Sequence, residues 1–210
     1  TAKALASGPR GDVRTTLDSG LQAEVERIAL TQAKAAGADV QVSALVVSIP
    51  TRAVRAIAGS ASRDRPGGSL NVPAVMMLDK VGPERFVAQL ALAGASPRIA
   101  GSASHEAGLA IALGGAGLTA RELAVLYAAL GDKGVAKPLV WRADEEDAAY
   151  ARPGRRLMGE ASADEIIRIL QNGPTPAGRV PGRLTENAPQ IAFKTGTSYG
   201  YRDAWAAGVA

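Results

Sequence analysis

The sequence predicts an α+β fold, with one antiparallel sheet covered by helices. Three observations carry this. Residues 41–60 hold a β-branched run, a turn signal and a second run. A second pair of strand-like runs lies over residues 190–210. Between them, apolar residues recur at helical spacing behind capping signals. The chain has 210 residues, of which 47% are hydrophobic. That fraction falls in the globular band of roughly 45–50% and supports one domain with a buried core.

Residues 1–14 (TAKALASGPRGDVR) are small, polar or helix-breaking and read as a linker, with the domain proper over 15–210. Ser19 with Gln22 forms a possible capping box. Leu21, Val25, Ile28 and Ala29 then follow helical spacing, with Gly37 as the stop. QVSALVVSI (41–49), the turn at Pro50-Thr51 and RAVRAIAGS (52–60) predict a hairpin whose first strand is central. Pro73 suits the first turn of a helix running to about Lys80, and Pro83 opens another with Phe86, Val87 and Leu90 inward. Thr119 and Glu122 make a capping box ahead of LAVLYAAL, as do Ser162 and Glu165 ahead of IIRIL, which Gly173-Pro174 ends. QIAFKTGTS (190–198) and AWAAGVA (204–210) flank the turn-like YGYRD and predict the closing hairpin.

Composition removes several classes of chemistry. The absence of cysteine excludes disulfides, thiolate metal sites and a Cys nucleophile. The single histidine, His105, excludes sites that need two imidazoles, and it reads as a surface or loop residue. No metal or other cofactor is expected. The formal charge is +4 and the pI about 9.6. The basic residues are scattered, however, and an acidic run follows Arg142 at once, so a solvated surface is expected and nucleic acid is not. Aromatics at 4% also argue against a base-stacking platform. No stretch approaches the ~18 apolar residues of a membrane span. The start at Thr1, without a signal-like run, leads to the expectation of a processed or excised piece. The glycines of GGAGLT lack a following lysine and read as a turn. Trp141, Tyr150 and Trp205 are assigned to packing, while Tyr199 and Tyr201 are placed at a cleft rim.

Two short motifs carry chemistry. Lys194-Thr195-Gly196-Thr197-Ser198 lies on a predicted strand. Such a strand offers an ammonium and several hydroxyls to a substrate carboxylate. Gly196 lets a ligand backbone approach the strand edge closely. Ser69-Leu70-Asn71 precedes a predicted helix. Its hydroxyl and amide can relay a proton and orient a bound amide, or serve simply as an N-cap.

In this order the motifs match two of the three that mark serine β-lactamases and penicillin-binding proteins, with SLN in place of SDN. The chain resembles a penicillin-binding protein transpeptidase domain. RTTLDSGLQAEVERIA, SLNVPAVMMLDKVGPERF, LAIALGGAGLTARELAVLYAALGDKGV and APQIAFKTGTSYGYRDAWAAGV carry the resemblance, and the last is similar to the 1C type of class A. The resemblance implies a β-lactamase/transpeptidase-like α/β/α sandwich with a helical subdomain. It implies a serine acyl-enzyme that cross-links peptidoglycan stem peptides and is acylated by β-lactam antibiotics. It further implies a periplasmic or extracytoplasmic location, a membrane anchor and an upstream glycosyltransferase domain in the full protein. Ser69 would shuttle protons, Asn71 hold the substrate amide and Lys194 supply positive potential. Thr195 and Thr197 would bind the carboxylate beside Gly196 and Ser198, with the Thr197 N–H as an oxyanion donor.

The nucleophile of that family is absent. No Ser-x-x-Lys occurs in the 210 residues, and Thr31-Gln32-Ala33-Lys34 sits on the opening helix, away from the family position. Only the eight residues ASRDRPGG separate Ser60 from Ser69, too few for a helix and its return at ~1.5 Å per residue. The domain is therefore expected to lack the nucleophile segment between 60 and 69, and the last strand and helix after Ala210. Three readings follow: a segment that exists outside these 210 residues, a deletion that leaves a non-catalytic peptidoglycan- or partner-binding module, or Ser69 turned nucleophile. The third has no lysine at the spacing a base requires.

Overall fold

The computed structural model describes residues 14–36, 42–58, 71–99, 108–173, 188–197 and 204–210. The chain opens with α1 (Ser19–Ala36) and a first hairpin, β1 (Ala44–Val47) and β2 (Val54–Ala58). Two helices follow, α2 (Asn71–Val81) and α3 (Pro83–Leu92). β3 (Arg98–Ile99) pairs with β4 (Ala116–Gly117) across a 3-10 turn at Leu109–Leu113. α4 (Ala120–Gly131) is the central helix. β5 (Val135–Ala136), α5 (Glu146–Ala151), β6 (Arg155–Arg156) and α6 (Glu160–Gln171) lead to the second hairpin. Its strands are β7 (Ala192–Thr197) and β8 (Ala204–Val209). Among the described residues all four strand pairs are antiparallel, and each forms its own two-stranded ladder.

Both long hairpins and the central helices stand where the sequence places them. The caps differ in detail. Asp18, not Ser19, caps α1: its carboxylate accepts the Leu21 N–H at 2.8 Å. Gln22 reaches out of the helix instead. Its amide nitrogen donates to the Ile57 carbonyl at 2.9 Å, and its amide oxygen accepts the Ile57 N–H at 2.9 Å. The Asp18 N–H also donates to the Arg55 carbonyl at 2.9 Å. Backbone groups on the outer edge of β2 are thus satisfied by α1 and its cap rather than by another strand. α6 begins at Glu160 behind Gly159, so Ser162 lies inside its first turn and caps nothing.

α4 does carry the expected box. The Thr119 hydroxyl accepts the Glu122 N–H at 3.2 Å, and Glu122 accepts the Thr119 N–H at 2.7 Å. Glu122 also accepts the Ser96 N–H at 2.8 Å, which fixes the loop after α3 to the start of α4. These N–H donors hold the Glu122 carboxyl below its ordinary value, against a small opposing effect of burial.

Arg52 ends the turn between β1 and β2 at φ 60°. Its side chain is 0% exposed. The guanidinium donates to Asp132 Oδ2 at 2.8 Å and to the Val135 carbonyl at 3.0 Å. It therefore ties the first hairpin to the end of α4. Burial pulls the Arg52 guanidinium below its ordinary value, and Asp132 works in the opposite direction. Next to it, Ala53 bridges to Val140, and the Thr16 hydroxyl donates to the Val54 carbonyl at 2.7 Å. Ala53, Val54, Ala56 and Val140 are buried along these links, and Ala192 is buried on the second hairpin.

Two glycines with positive φ separate strain from space. A Cβ on Gly134 (φ +85) would sit 2.4 Å from the Met158 carbonyl oxygen, whereas one on Gly94 (φ +77) meets nothing within 4 Å. Gly134→Ala should therefore destabilise the fold by about 3 kcal/mol, and Gly94→Ala by about 1 kcal/mol from backbone strain alone; urea midpoints rank the two. A second outcome concerns pH. Glu122 is depressed in the folded state, so its contribution is full above the ordinary carboxylate range and is lost as pH falls through its folded value. Glu122→Gln should lower the urea midpoint at neutral pH and converge on the parent chain in acid.

Candidate functional site

β7 carries the Lys-Thr-Gly run. It is paired on one side only, with Lys194 opposite Ala207, Thr195 opposite Ala206 and Gly196 opposite Trp205. Among the described residues no strand covers its other edge, which leaves backbone donors and acceptors for an extended ligand. α6 packs against β7, and α4 against β8, so the hairpin is held by both helices. Ala192 is buried at the base of the strand, where it anchors the exposed part beyond it.

Alternation puts Lys194 and Gly196 on one face and Thr195 on the other. Lys194 is exposed and its ammonium turns back onto the Thr195 carbonyl. Among the described residues it has no carboxylate partner, so its charge is presented to solvent. Thr195 is half-buried. Among the described residues a Cβ built on Gly196 meets nothing within 4 Å. At Gly131, Gly134 and Gly154 a Cβ would strike neighbouring atoms at under 3 Å. Those glycines are demanded by the chain's own packing, and Gly196 is not. Its open space lies directly beside the lysine.

Asn71 is the first residue of α2. Thr197 is the last residue of β7. Ser69 and Ser198 lie outside the described residues, as do Ser60, His105, Pro174, Tyr199, Tyr201 and the eight residues before Ser69. The expected pairing of the Ser-x-Asn and Lys-Thr-Gly elements thus rests on the sequence. Among the described residues no group of three or more His, Asp or Glu side chains could hold a metal ion, and no helix is long and apolar enough to cross a membrane.

One expectation is corrected here. Trp205 is 41% exposed on β8 rather than packed. It borders a trough of about 890 Å³ between β1, β8 and α4. No residue of β7 lines this trough, so it is separate from the Lys-Thr-Gly edge. Sequence reading did not find it. The available signal was the lack of charge and proline in both bordering strands, AWAAGV and ALVV. Trp141 meets its packing assignment, with the Arg121 guanidinium 5.2 Å from its ring centroid.

No protein-family model matches the chain. Over 141 residues it is 39% identical to penicillin-binding protein 1C of Escherichia coli (strain K12). That match takes in 67% of this chain and 17% of the relative, so the chain corresponds to less than a fifth of that protein's length. Its fold is similar to that of the penicillin-binding protein PonA1 from Mycobacterium tuberculosis, with a TM-score of 0.66 at 17% identity over 94% of this chain and 73% of the other. PonA1 in complex with penicillin V gives a TM-score of 0.65 at 16% identity, over 100% and 76%. The sequence relationship and the shared α+β fold together place this chain among the penicillin-binding proteins, as a domain related to their transpeptidase domain.

Proposed function

We propose that the chain is built as a peptidoglycan D,D-transpeptidase domain of the extracytoplasmic face, and that the Lys194–Thr197 strand grips the carboxylate end of a stem peptide. The observation that carries this is the exposed Lys194 beside the empty space at Gly196, on a strand edge that no described strand covers. An extended peptide laid along that edge gains backbone hydrogen bonds, and the ammonium draws its terminal carboxylate. The Thr195 hydroxyl, on the opposite face of the strand, offers a further donor along the same edge. Acylation then takes place at a serine in the related enzymes, with Ser69 and Asn71 serving as proton relay and amide clamp. The same strand would hold the carboxylate of a β-lactam antibiotic. In the whole protein this domain would follow a glycosyltransferase domain and a membrane anchor.

A second reading is favoured by one observation. The 210 residues contain no Ser-x-x-Lys, and a nucleophile without a neighbouring base is weak at its free pKa. On this reading the domain binds peptidoglycan without cross-linking it. Labelled penicillin distinguishes the two. A label that survives denaturation supports the transpeptidase reading, and reversible binding alone supports the binding module. No binding of either kind, to penicillin or to a D-Ala-D-Ala peptide, sinks both.

Lys194→Ala should reduce capture of either ligand by about tenfold or more, worth ~1.4 kcal/mol, with the melting transition in place. Gly196→Val should abolish capture by occupying the space at the edge. The melting temperature of that variant should hold within a few degrees, since among the described residues a Cβ there meets nothing within 4 Å.

A further inference from the structure

The chain has three asparagines, and one of them precedes a glycine, at Asn172-Gly173. Asn71 is followed by Val72 and Asn187 by Ala188. An asparagine loses its side-chain amide when the backbone nitrogen of the next residue attacks its Cγ. A side chain on that next residue hinders the attack. Glycine has none, and its backbone is free to take up the attacking geometry. Residue type therefore singles out position 172.

Asn172 is the first residue past α6 and is exposed, so water reaches it. The last turn of the helix engages both reacting groups. The side-chain amide nitrogen, which would leave, donates to the Arg168 carbonyl at 2.8 Å. The Asn172 N–H donates to the same carbonyl at 3.2 Å. The Gly173 nitrogen, which would attack, donates to the Leu170 carbonyl at 3.3 Å, beyond the ordinary range for an amide donor. With the turn closed, Asn172 has ψ 5°. That angle turns the Gly173 nitrogen away from the Asn172 Cβ, whereas ring closure needs it on the Cβ side. The turn is therefore a guard, and its outermost bond is a weak one. Helix ends open locally far more often than the whole fold does.

We propose that Asn172 is a site of spontaneous, one-way modification, deamidated when the last turn of α6 opens. The Gly173 nitrogen gives its proton to solvent hydroxide and attacks the Asn172 Cγ. A new C–N bond closes a five-membered imide, the bond to the side-chain nitrogen breaks, and ammonia leaves. Water then adds to either imide carbonyl and opens the ring to aspartate or isoaspartate. Either product exchanges an amide donor for a carboxylate. The carboxylate cannot donate to the Arg168 carbonyl, and it stands at the negative end of the helix. The turn that guarded the amide no longer recloses as before. α6 packs against β7 and α4, so the loosening falls on the helix behind the Lys-Thr-Gly strand. The modification is independent of what that strand binds.

The test keeps the whole chain in mildly alkaline buffer beside the end-blocked peptide of residues 168–175 (RILQNGPT). Peptide mapping by mass spectrometry follows the acid formed at each asparagine. The expected result is acid at 172 and not at 71 or 187, forming about tenfold more slowly than in the peptide because the turn must open first. Asn172→Gln should form no acid at this position, since its longer side chain would have to close a six-membered ring. Asn172→Asp should speed amide exchange at residues 168–173 by about tenfold over the parent chain, with the melting transition in place. Asn172 left intact once the peptide has fully converted overturns the site. Equal rates in chain and peptide overturn the guard, and unchanged exchange in Asn172→Asp overturns the one-way step.

Discussion

The buried guanidinium of Arg52 is the constraint on which the rest of the fold depends. It joins the turn of the first hairpin to Asp132 and to the Val135 carbonyl, and so sets the hairpin against the end of α4. Two of its nitrogens, Nε and Nη1, have no hydrogen-bond partner. An unmet buried donor costs about 1–3 kcal/mol, so packing around it must offset that cost. The neighbouring Ala53, Val54 and Val140 are almost wholly closed to solvent. The positive φ of Arg52 belongs to the same arrangement, because the turn must bend sharply to aim the side chain inward.

From that fixed point the geometry of both candidate surfaces follows. α4 runs from the Thr119–Glu122 box to Asp132, and each long hairpin packs on it. Because the helix is pinned at both ends, the two hairpins are held apart at a set spacing. One consequence is the trough between them. Another is that β7 is the strand of its hairpin away from the trough, with no described strand on its other edge. The Lys-Thr-Gly edge and the trough are thus opposite sides of one hairpin.

The readable parts of this chain are the local ones. The capping box of α4 was legible because all its partners lie within four residues. Lys194–Ser198 was legible because a strand motif is contiguous in sequence and its chemistry is carried by residue type. The start of α6 was misplaced because glycine at the cap leaves no side-chain signal, while Ser162 mimics one. Ser19 was chosen over Asp18 for the same reason, since both are good caps and only the geometry of Leu21 decides. Non-local pairing was not legible at all. The two-residue ladders β3–β4 and β5–β6 have no periodicity to detect. The trough is made by edges far apart in sequence, and the exposure of Trp205 follows from that non-local arrangement.

Gln22 gives the first hairpin a polarity. With an amide clipped to Ile57 on one flank, that flank is closed to further strands, and additions can come only from the side of β1. The first hairpin and its helix are also close in sequence, so they can form early with little loop-closure entropy. The second hairpin is similarly local. What remains is the slow, long-range step of bringing two finished units into register. A nascent chain of this design would pass through a stage with two preformed ribbons not yet docked on α4, and its yield in a cell would depend on how long that stage lasts.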